Sequence, residues 1–329
     1  MKHLAVIGAG SWGTALAMVL APRFERVFLW AHENELTEEM RTTRVNNTYL
    51  PGFVLAPNIE PTSSLSDAVS GSDVVLGVMP TIHARRLYTE MKPFLSHRVK
   101  LVSSTKGIEQ GSLKRVSQIM EELLDRPPVA ILSGPTFARE VAAGEPAAIV
   151  ISSTNHFLQT EIQRAFSGPT FRLYTNDDPI GVEVGGALKN VIAVAAGVVQ
   201  GLKLGNNTMA ALITRGLAEI TRLAVAMGAN AKTLGGLSGM GDLVLTCTGD
   251  LSRNRSVGMQ LAAGKSLDEI TGSMRMVAEG VHTTLAAVDL AKKYGVSMPI
   301  TEQVFAILKQ GKLPSQAIKE LMERSLRAE

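Results

Sequence analysis

A short apolar run at residues 4–7 ends in Gly8-Ala-Gly10-Ser-Trp-Gly13, and helix-like periodicity over residues 12–20 follows at once. A β-branched run cut by three glycines at this spacing, then continued by a helix, leaves few options for the chain. Gly8 permits a tight turn, Gly10 lets the backbone approach a bulky anion, and Gly13 lets helix and strand pack closely. The first N–H groups of a helix have no partner inside it and face whatever lies over the turn. The pattern predicts a strand–turn–helix unit that cradles the pyrophosphate of a dinucleotide. Three glycines alone also fit a plain structural turn.

The same strand–helix alternation continues through the first half of the chain. Short β-branched runs recur at residues 27–30, 74–79, 99–103, 129–132 and 148–151. Helix-like stretches lie between several of them, at residues 35–44, 83–91 and 113–124. Such alternation predicts a mostly parallel sheet with helices on both faces. Residues 46–66, rich in Pro, Asn and Ser, read as a long loop. After Asn176-Asp-Asp-Pro179 helical periodicity takes over and strand-like runs almost vanish. The expected fold class is α/β: an N-terminal Rossmann-type doubly wound sheet over residues 1–180, then an all-α C-terminal domain over residues 181–329. A chain of 329 residues is too long for one ordinary core and suits two domains.

The N-terminus has a basic start, an apolar run and small residues at Ala15 and Ala17, which imitates a secretory signal peptide. The glycine turn inside that run argues against it. Residues 184–199 are apolar enough to suggest a membrane span, but they are rich in Gly and Ala and carry Lys189 and Asn190, so a buried core helix is expected. Cys247 is the single cysteine, which excludes an intrachain disulfide and fits a reducing compartment, the cytoplasm. Net charge is +3 with no basic block, which gives no sign of a nucleic-acid partner and suits a small anionic ligand. With one Cys, six His and no spacing such as HExxH, no metal site is expected.

Several polar residues stand where ligands bind in this architecture. Loops at the carboxyl ends of parallel strands hold Lys106 and the segment Ser133-Gly134-Pro135-Thr136. Near the end of the second strand the chain reads Trp30-Ala-His32-Glu33. No acid stands at the strand end itself to grip the adenosine ribose, so strict NAD preference is not expected. His32 is placed either beside a 2′-phosphate or in solvent. Lys189 has no acid three or four residues away, although its helical face is apolar. It either snorkels to the surface or is a buried functional group. Asp242, after a glycine-rich turn, is a candidate to orient it. Ser252 suits a helix cap, with Arg253 and Asn254 in the first turn. Arg there is unfavourable for the helix dipole but well placed to grip a phosphate; a surface basic cluster is the plainer alternative.

Taken together, GAGSWGTALA, NNTYLPG, SSTKGIE, SGPTFAREV, GVEVGGALKNVIAVAAG, NNTMAALITRGLAE, GLSGMGDLVLTCTGDLSRNRSVG and VAEGVHT resemble the NAD(P)-dependent glycerol-3-phosphate dehydrogenases of bacteria. The resemblance covers nearly the whole chain in order. It implies reversible reduction of dihydroxyacetone phosphate to sn-glycerol 3-phosphate for phospholipid synthesis, with NAD or NADP as cofactor. By the same resemblance, the cofactor is met by Gly8, Gly10, Ser11, Trp12, Gly13, His32, Lys106, Ala138, Arg253, Val277 and Glu279. The substrate is met by Lys106, Gly134, Thr136, Lys189, Asp242, Ser252, Arg253 and Asn254. Lys189 is the proton donor and acceptor. Thr136 stands where many relatives carry Ser, which keeps the hydroxyl.

The expected chemistry is hydride transfer to a ketone carbon, with Lys189 stabilising the developing alkoxide and supplying its proton. The absence of an acid at the strand end tilts the cofactor expectation toward NADPH. A helical second domain often supplies a homodimer surface, although no apolar stripe identifies one. Two other readings use the same glycine turn. Another hydroxy-acid dehydrogenase of this architecture would typically rely on His and would not need the Ser252–Arg255 motif. A non-catalytic NAD(P) sensor would not need a buried Lys189 beside Asp242.

Overall fold

The computed structural model describes residues 1–125, 129–274 and 278–326. The chain divides into two compact units, one of residues 1–106 and 114–183, the other of residues 107–113 and 184–329.

Among the described residues the first unit holds ten strands: β1 His3–Ile7, β2 Arg26–Trp30, β3 Val45–Asn46, β4 Leu50–Val54, β5 Ile59–Thr62, β6 Val74–Gly77, β7 Lys100–Ser103, β8 Ala130–Ser133, β9 Ala147–Ser152 and β10 Phe171–Asn176. Eight of these form one sheet in the order β10-β9-β8-β7-β6-β1-β2-β5; β3 and β4 form a separate hairpin. Every pairing in the large sheet is parallel except β8 with β9. The chain reverses sheet direction on either side of β1, which opens a crevice at the carboxyl edge of the central strands.

Parallel strands covered on both faces carry near-continuous apolar sequence, and β1, β6 and β8 do so here. Alternate residues such as Leu4, Val6, Val27, Leu29, Leu76 and Val102 share one buried cluster with Leu16, Leu20, Val141, Ile162 and Phe166 of the helices Ser11–Leu20, Ala138–Ala142 and His156–Phe166. Ala5, Ile7, Val75, Leu101 and Ile131 are buried on the opposite face. A parallel-rich sheet with helices, followed by an all-α region, is the expected fold class.

The stretch 46–66 is not one long loop. It holds the β3–β4 hairpin and the edge strand β5. Pro61 lacks an N–H, and an edge strand tolerates that because only β2 pairs with it. Strand β10 also went unanticipated, although Phe171 and Leu173 are buried and Arg172 and Tyr174 exposed, the period-two signature of an edge strand.

One buried ion pair stands out in the first unit. Arg115 starts the helix Val116–Leu124, and its guanidinium donates to the carboxylate of Glu183. The same carboxylate accepts the Ser117 N–H at 2.9 Å and the Ser117 hydroxyl at 2.6 Å. An anion at a helix start meets N–H groups that have no partner within the helix.

The second unit is helical. Its central element is the helix Pro179–Gly201, which is long and apolar enough to cross a membrane but is almost wholly buried in the fold. The helix Arg253–Ala262 lies directly against it. A Cβ added at Gly197 would fall 1.9 Å from the Arg255 carbonyl oxygen, and one at Gly258 would fall 2.0 Å from that of Val194. The two backbones touch, and only glycine fits at the crossing. Elsewhere in this unit the buried carboxylate of Glu219 accepts the N–H groups of Ile300 (2.7 Å) and Thr301 (3.2 Å) at the start of the helix Pro299–Lys309. Burial pushes its pKa up to about 7, against the opposing pull of those N–H groups.

Candidate active site

The glycine turn of the first unit has the geometry its sequence implies. Gly8 has φ +122°, which side-chain-bearing residues rarely adopt. A Cβ on Gly13 would lie 1.8 Å from the Gly8 carbonyl, so the helix start is pressed against the turn. Gly10 differs: nothing in the protein lies within 4 Å of a Cβ placed there. Its lack of a side chain serves the space over the turn, not packing. Gly10 also caps the helix Ser11–Leu20 without a side-chain acceptor. The N–H groups at Ser11 and beyond are therefore not taken by a capping side chain, which fits a bound pyrophosphate.

The turn is braced from below. The Asn46 amide, fully buried, donates to the Ala9 carbonyl and to the Thr14 hydroxyl, both at 2.8 Å. Trp12 donates its indole N–H to the Ser104 hydroxyl at 2.8 Å, which in turn donates to the Leu132 carbonyl at 3.0 Å. Asn46 was not singled out from sequence, since nothing local links it to residue 9. Lys106 and Thr136 converge on Gly134: the ammonium and the hydroxyl each donate to its carbonyl at 3.2 Å. His32 is exposed just past β2, and Ala138 is the first residue of the helix Ala138–Ala142.

In the second unit Lys189 is only 6% exposed and Asp242 0%. The lysine ammonium donates to the Asp242 carboxylate and, at 2.8 Å, to the Thr246 hydroxyl. That hydroxyl donates at 2.6 Å to the backbone carbonyl of Asp242. The partner of Lys189 thus comes from a different helix, Asp242–Thr248, which explains the missing acid within its own helix. A π-helical turn at Leu237–Gly241 introduces Asp242; such turns occur often at functional sites. Thr246 was missed from sequence, yet it lies one helical turn beyond Asp242 on the same face, and that spacing was the available signal. Next to it, burial pushes the Cys247 thiol up to about 12, so it is inert as a nucleophile.

Ser252 caps the helix Arg253–Ala262, its hydroxyl accepting the Arg255 N–H at 3.3 Å. Arg253 and Asn254 fall in the first turn, as the spacing predicts. Burial lowers the Arg253 pKa, and the Glu279 carboxylate counters this. Asn254 is a bridge: it donates to the Asn190 side chain and accepts the Gly280 N–H, both at 2.9 Å. Asn190 follows Lys189, so this bridge fixes the turn that carries the lysine. Glu279 opens the helix Glu279–Tyr294. Val277 lies outside the described residues. Among the described residues no cluster of His, Cys, Asp or Glu is arranged to hold a metal.

The chain is 54% identical over 329 residues to the glycerol-3-phosphate dehydrogenase [NAD(P)+] of Koribacter versatilis, with 98% of each chain covered. The models of the NAD-dependent glycerol-3-phosphate dehydrogenase N-terminus and C-terminus match residues 3–159 and 178–319. The chain belongs to the NAD-dependent glycerol-3-phosphate dehydrogenase family. It is an oxidoreductase of the NAD(P)-dependent kind. The relative from Geobacter sulfurreducens is 53% identical over 332 residues, covering 100% of this chain and 99% of its own. Among solved structures, the glycerol-3-phosphate dehydrogenase of Coxiella burnetii superposes with a TM-score of 0.95 at 40% identity, covering 98% of this chain and 99% of its own. A ketopantoate reductase from Ralstonia eutropha, at 18% identity and a TM-score of 0.61 over 96% of this chain and 100% of its own, shares the fold alone. Family membership supports the glycerol-3-phosphate dehydrogenase reading, and not the sensor reading or a His-dependent hydroxy-acid dehydrogenase.

Proposed function

We propose that this enzyme interconverts dihydroxyacetone phosphate and sn-glycerol 3-phosphate, with Lys189 as its general acid and base. The observation that carries the assignment is the buried ammonium of Lys189, held by Asp242 and Thr246. When bound, NAD(P)H supplies the hydride. Lys189 stabilises the negative charge that develops on the carbonyl oxygen and gives it a proton; in reverse it takes the proton from the hydroxyl. Asp242 and Thr246 fix the ammonium in one place, so little reorganisation accompanies the step. Arg253 and Asn254, at a helix start, hold the phosphate, and Ser252 sets their geometry by capping that helix. Lys106, Gly134 and Thr136 complete the substrate contacts. Gly8, Gly10, Ser11, Trp12, Gly13, His32, Ala138 and Glu279 hold the dinucleotide, together with Lys106 and Arg253.

In this reading residues 1–180 form the dinucleotide-binding domain and residues 181–329 the catalytic domain. The product feeds phospholipid synthesis in the cytoplasm; the lone buried thiol and the bacterial relatives support that compartment. A homodimer is proposed as the working form. The helix Asn206–Ala226 supports it, with Met209, Leu212 and Ile213 incompletely covered, and sedimentation analysis tests it. The activity is tested by oxidation of NADH and of NADPH in the presence of dihydroxyacetone phosphate, on wild type and Lys189→Ala. The variant is expected to bind cofactor normally and to turn over at least about a hundredfold slower. Wild-type turnover in the variant would remove Lys189 from the chemistry.

A further inference from the structure

Three strands of the first unit are joined at their carboxyl ends by one serine. The backbone pairing of β7 with β8 runs only as far as Ser103 with Ile131. One residue on, a side chain takes over, and the Ser104 hydroxyl donates to the Leu132 carbonyl at 3.0 Å. The Ser104 backbone N–H donates the other way, to the Gly77 carbonyl at the end of β6, at 2.8 Å. Thr105 adds a further tie, its hydroxyl donating to the Met79 carbonyl at 3.0 Å.

A serine hydroxyl has one proton to give and lone pairs to accept with. Here the proton goes to Leu132, and the oxygen accepts the Trp12 indole N–H at 2.8 Å. Ser104 is only 3% exposed, so a lost partner leaves a buried polar group unsatisfied. On one side of this joint Trp12 belongs to the glycine turn, between Gly10 and Gly13. On the other side Leu132 stands two residues before Gly134, whose carbonyl receives the Lys106 ammonium and the Thr136 hydroxyl. Gly134 is seated against β9, since a Cβ there would lie 3.0 Å from the Ile149 Cα. Lys106 itself follows Ser104 by two residues. One hydroxyl therefore stands between the turn and the Gly134 loop, with a hydrogen bond toward each.

We infer that Ser104 is a positioning residue that links the two ligand sites of the first unit, setting the loop of Gly134 and Thr136 by the seat of the Trp12 ring. This link rests on the reading above, in which Trp12 meets the dinucleotide and Lys106, Gly134 and Thr136 meet the substrate. A dinucleotide packed against Trp12 restricts the ring, and its N–H then points steadily at the Ser104 oxygen. A hydroxyl that accepts a hydrogen bond is polarised and becomes a better donor, so the bond to Leu132 tightens with it. The loop that takes the phosphorylated substrate is ordered as a result. Reciprocity then requires substrate in that loop to strengthen dinucleotide binding by the same factor.

The test is a double-mutant cycle on the full chain, read as the KM for dihydroxyacetone phosphate. Each variant is assayed at saturating NADH or NADPH, whichever wild type oxidises faster, so lost cofactor affinity does not enter that KM. Ser104→Ala removes the joint, and Trp12→Phe removes only the indole N–H. Ser104→Ala is expected to raise the KM about five- to tenfold and to change kcat by no more than about twofold, the pattern of lost binding common to ground and transition states. Trp12→Phe is expected to raise the KM about two- to fourfold alone, and no further in the Ser104→Ala background. A serine that only supports the fold would lower the urea midpoint and leave the KM where it is. An unchanged KM in Ser104→Ala, or a Trp12→Phe effect of equal size in both backgrounds, would overturn the link. Should Ser104→Ala fail to fold, Trp12→Phe alone decides, and an unchanged KM there overturns it. Wild-type protein that oxidises neither dinucleotide with dihydroxyacetone phosphate would remove the functional reading and the link together. Wild-type turnover with the KM unmoved in the variants removes the link alone.

Discussion

The Lys189–Asp242 pair can be dissected by a double-mutant cycle that separates its effect on stability from its effect on catalysis. Both side chains are buried, and the ammonium and the carboxylate are hydrogen-bonded to one another. Lys189→Met leaves the Asp242 carboxylate buried without the ammonium; Asp242→Leu leaves the ammonium with the Thr246 hydroxyl. Removing one member of a buried pair costs about 3–5 kcal/mol, so independent effects would sum to about 6–10 kcal/mol. In the double variant no charge remains to be solvated, two apolar chains fill a similar volume, and Thr246 keeps its bond to the backbone carbonyl of residue 242. The double variant is therefore expected to lose only about 2 kcal/mol or less, a coupling of about 4 kcal/mol or more. Both tryptophans, Trp12 and Trp30, lie in the first unit. Urea unfolding of the second, helical unit is thus followed by circular dichroism at 222 nm, with indole fluorescence as the control. All three variants should lose at least about a hundredfold in kcat. A double variant no more stable than either single one would refute the electrostatic argument. One with wild-type kcat would refute the catalytic argument.

Thr246→Val removes one acceptor of a charged hydrogen bond, a loss of about 1.5–3 kcal/mol, and should lower kcat about tenfold or more while the Kd for NADPH, read by fluorescence titration, stays unchanged. Glu219 has a folded-state pKa of about 7 against an ordinary 4.5, so the fold favours its protonated form. The stability it contributes is full below about pH 4.5 and is lost as pH rises through about 7, about 3 kcal/mol in all; urea midpoints across pH 5–8 should show this slope in wild type and lose it in Glu219→Gln. Glu183→Ala removes the buried carboxylate that accepts from Arg115 and from both Ser117 donors, leaving Arg115 its bond to the Ser117 hydroxyl, and should destabilise the first unit by about 3–5 kcal/mol, read from indole fluorescence in urea.

Local sequence carried most of the fold. The strand–turn–helix unit at residues 3–20, the buried Lys189 helix and the Ser252 cap are each dictated by neighbours within a few positions, and each was legible. Strands β5 and β10 were not, because each lies at an edge of the sheet, where the pattern is diluted by Pro61 or by alternating polar residues. The Lys189–Asp242 contact joins residues 53 positions apart, and no periodicity predicts such a contact. It was anticipated because a lysine on an apolar face needs a distant acid, and a glycine-rich turn ending in Asp242 offered one. Asn46, Thr246 and Asn190 went unassigned for a shared reason. Each acts by positioning another group through one or two hydrogen bonds, and a neutral polar residue leaves no charge imbalance in the sequence to betray it.

The Asn46 brace bears on how the enzyme spends its affinity for the dinucleotide. Because Asn46 and Thr14 hold the Ala9 carbonyl from inside the protein, the glycine turn takes its shape when the chain folds. The ordering entropy of those residues is settled at folding and is not charged against the ligand. If the turn holds the dinucleotide as proposed, this stretch need not be ordered afresh at each binding event. A protein that must empty this site once per catalytic cycle gains from rigidity there, since a turn that tightened around each ligand would make departure the slow step.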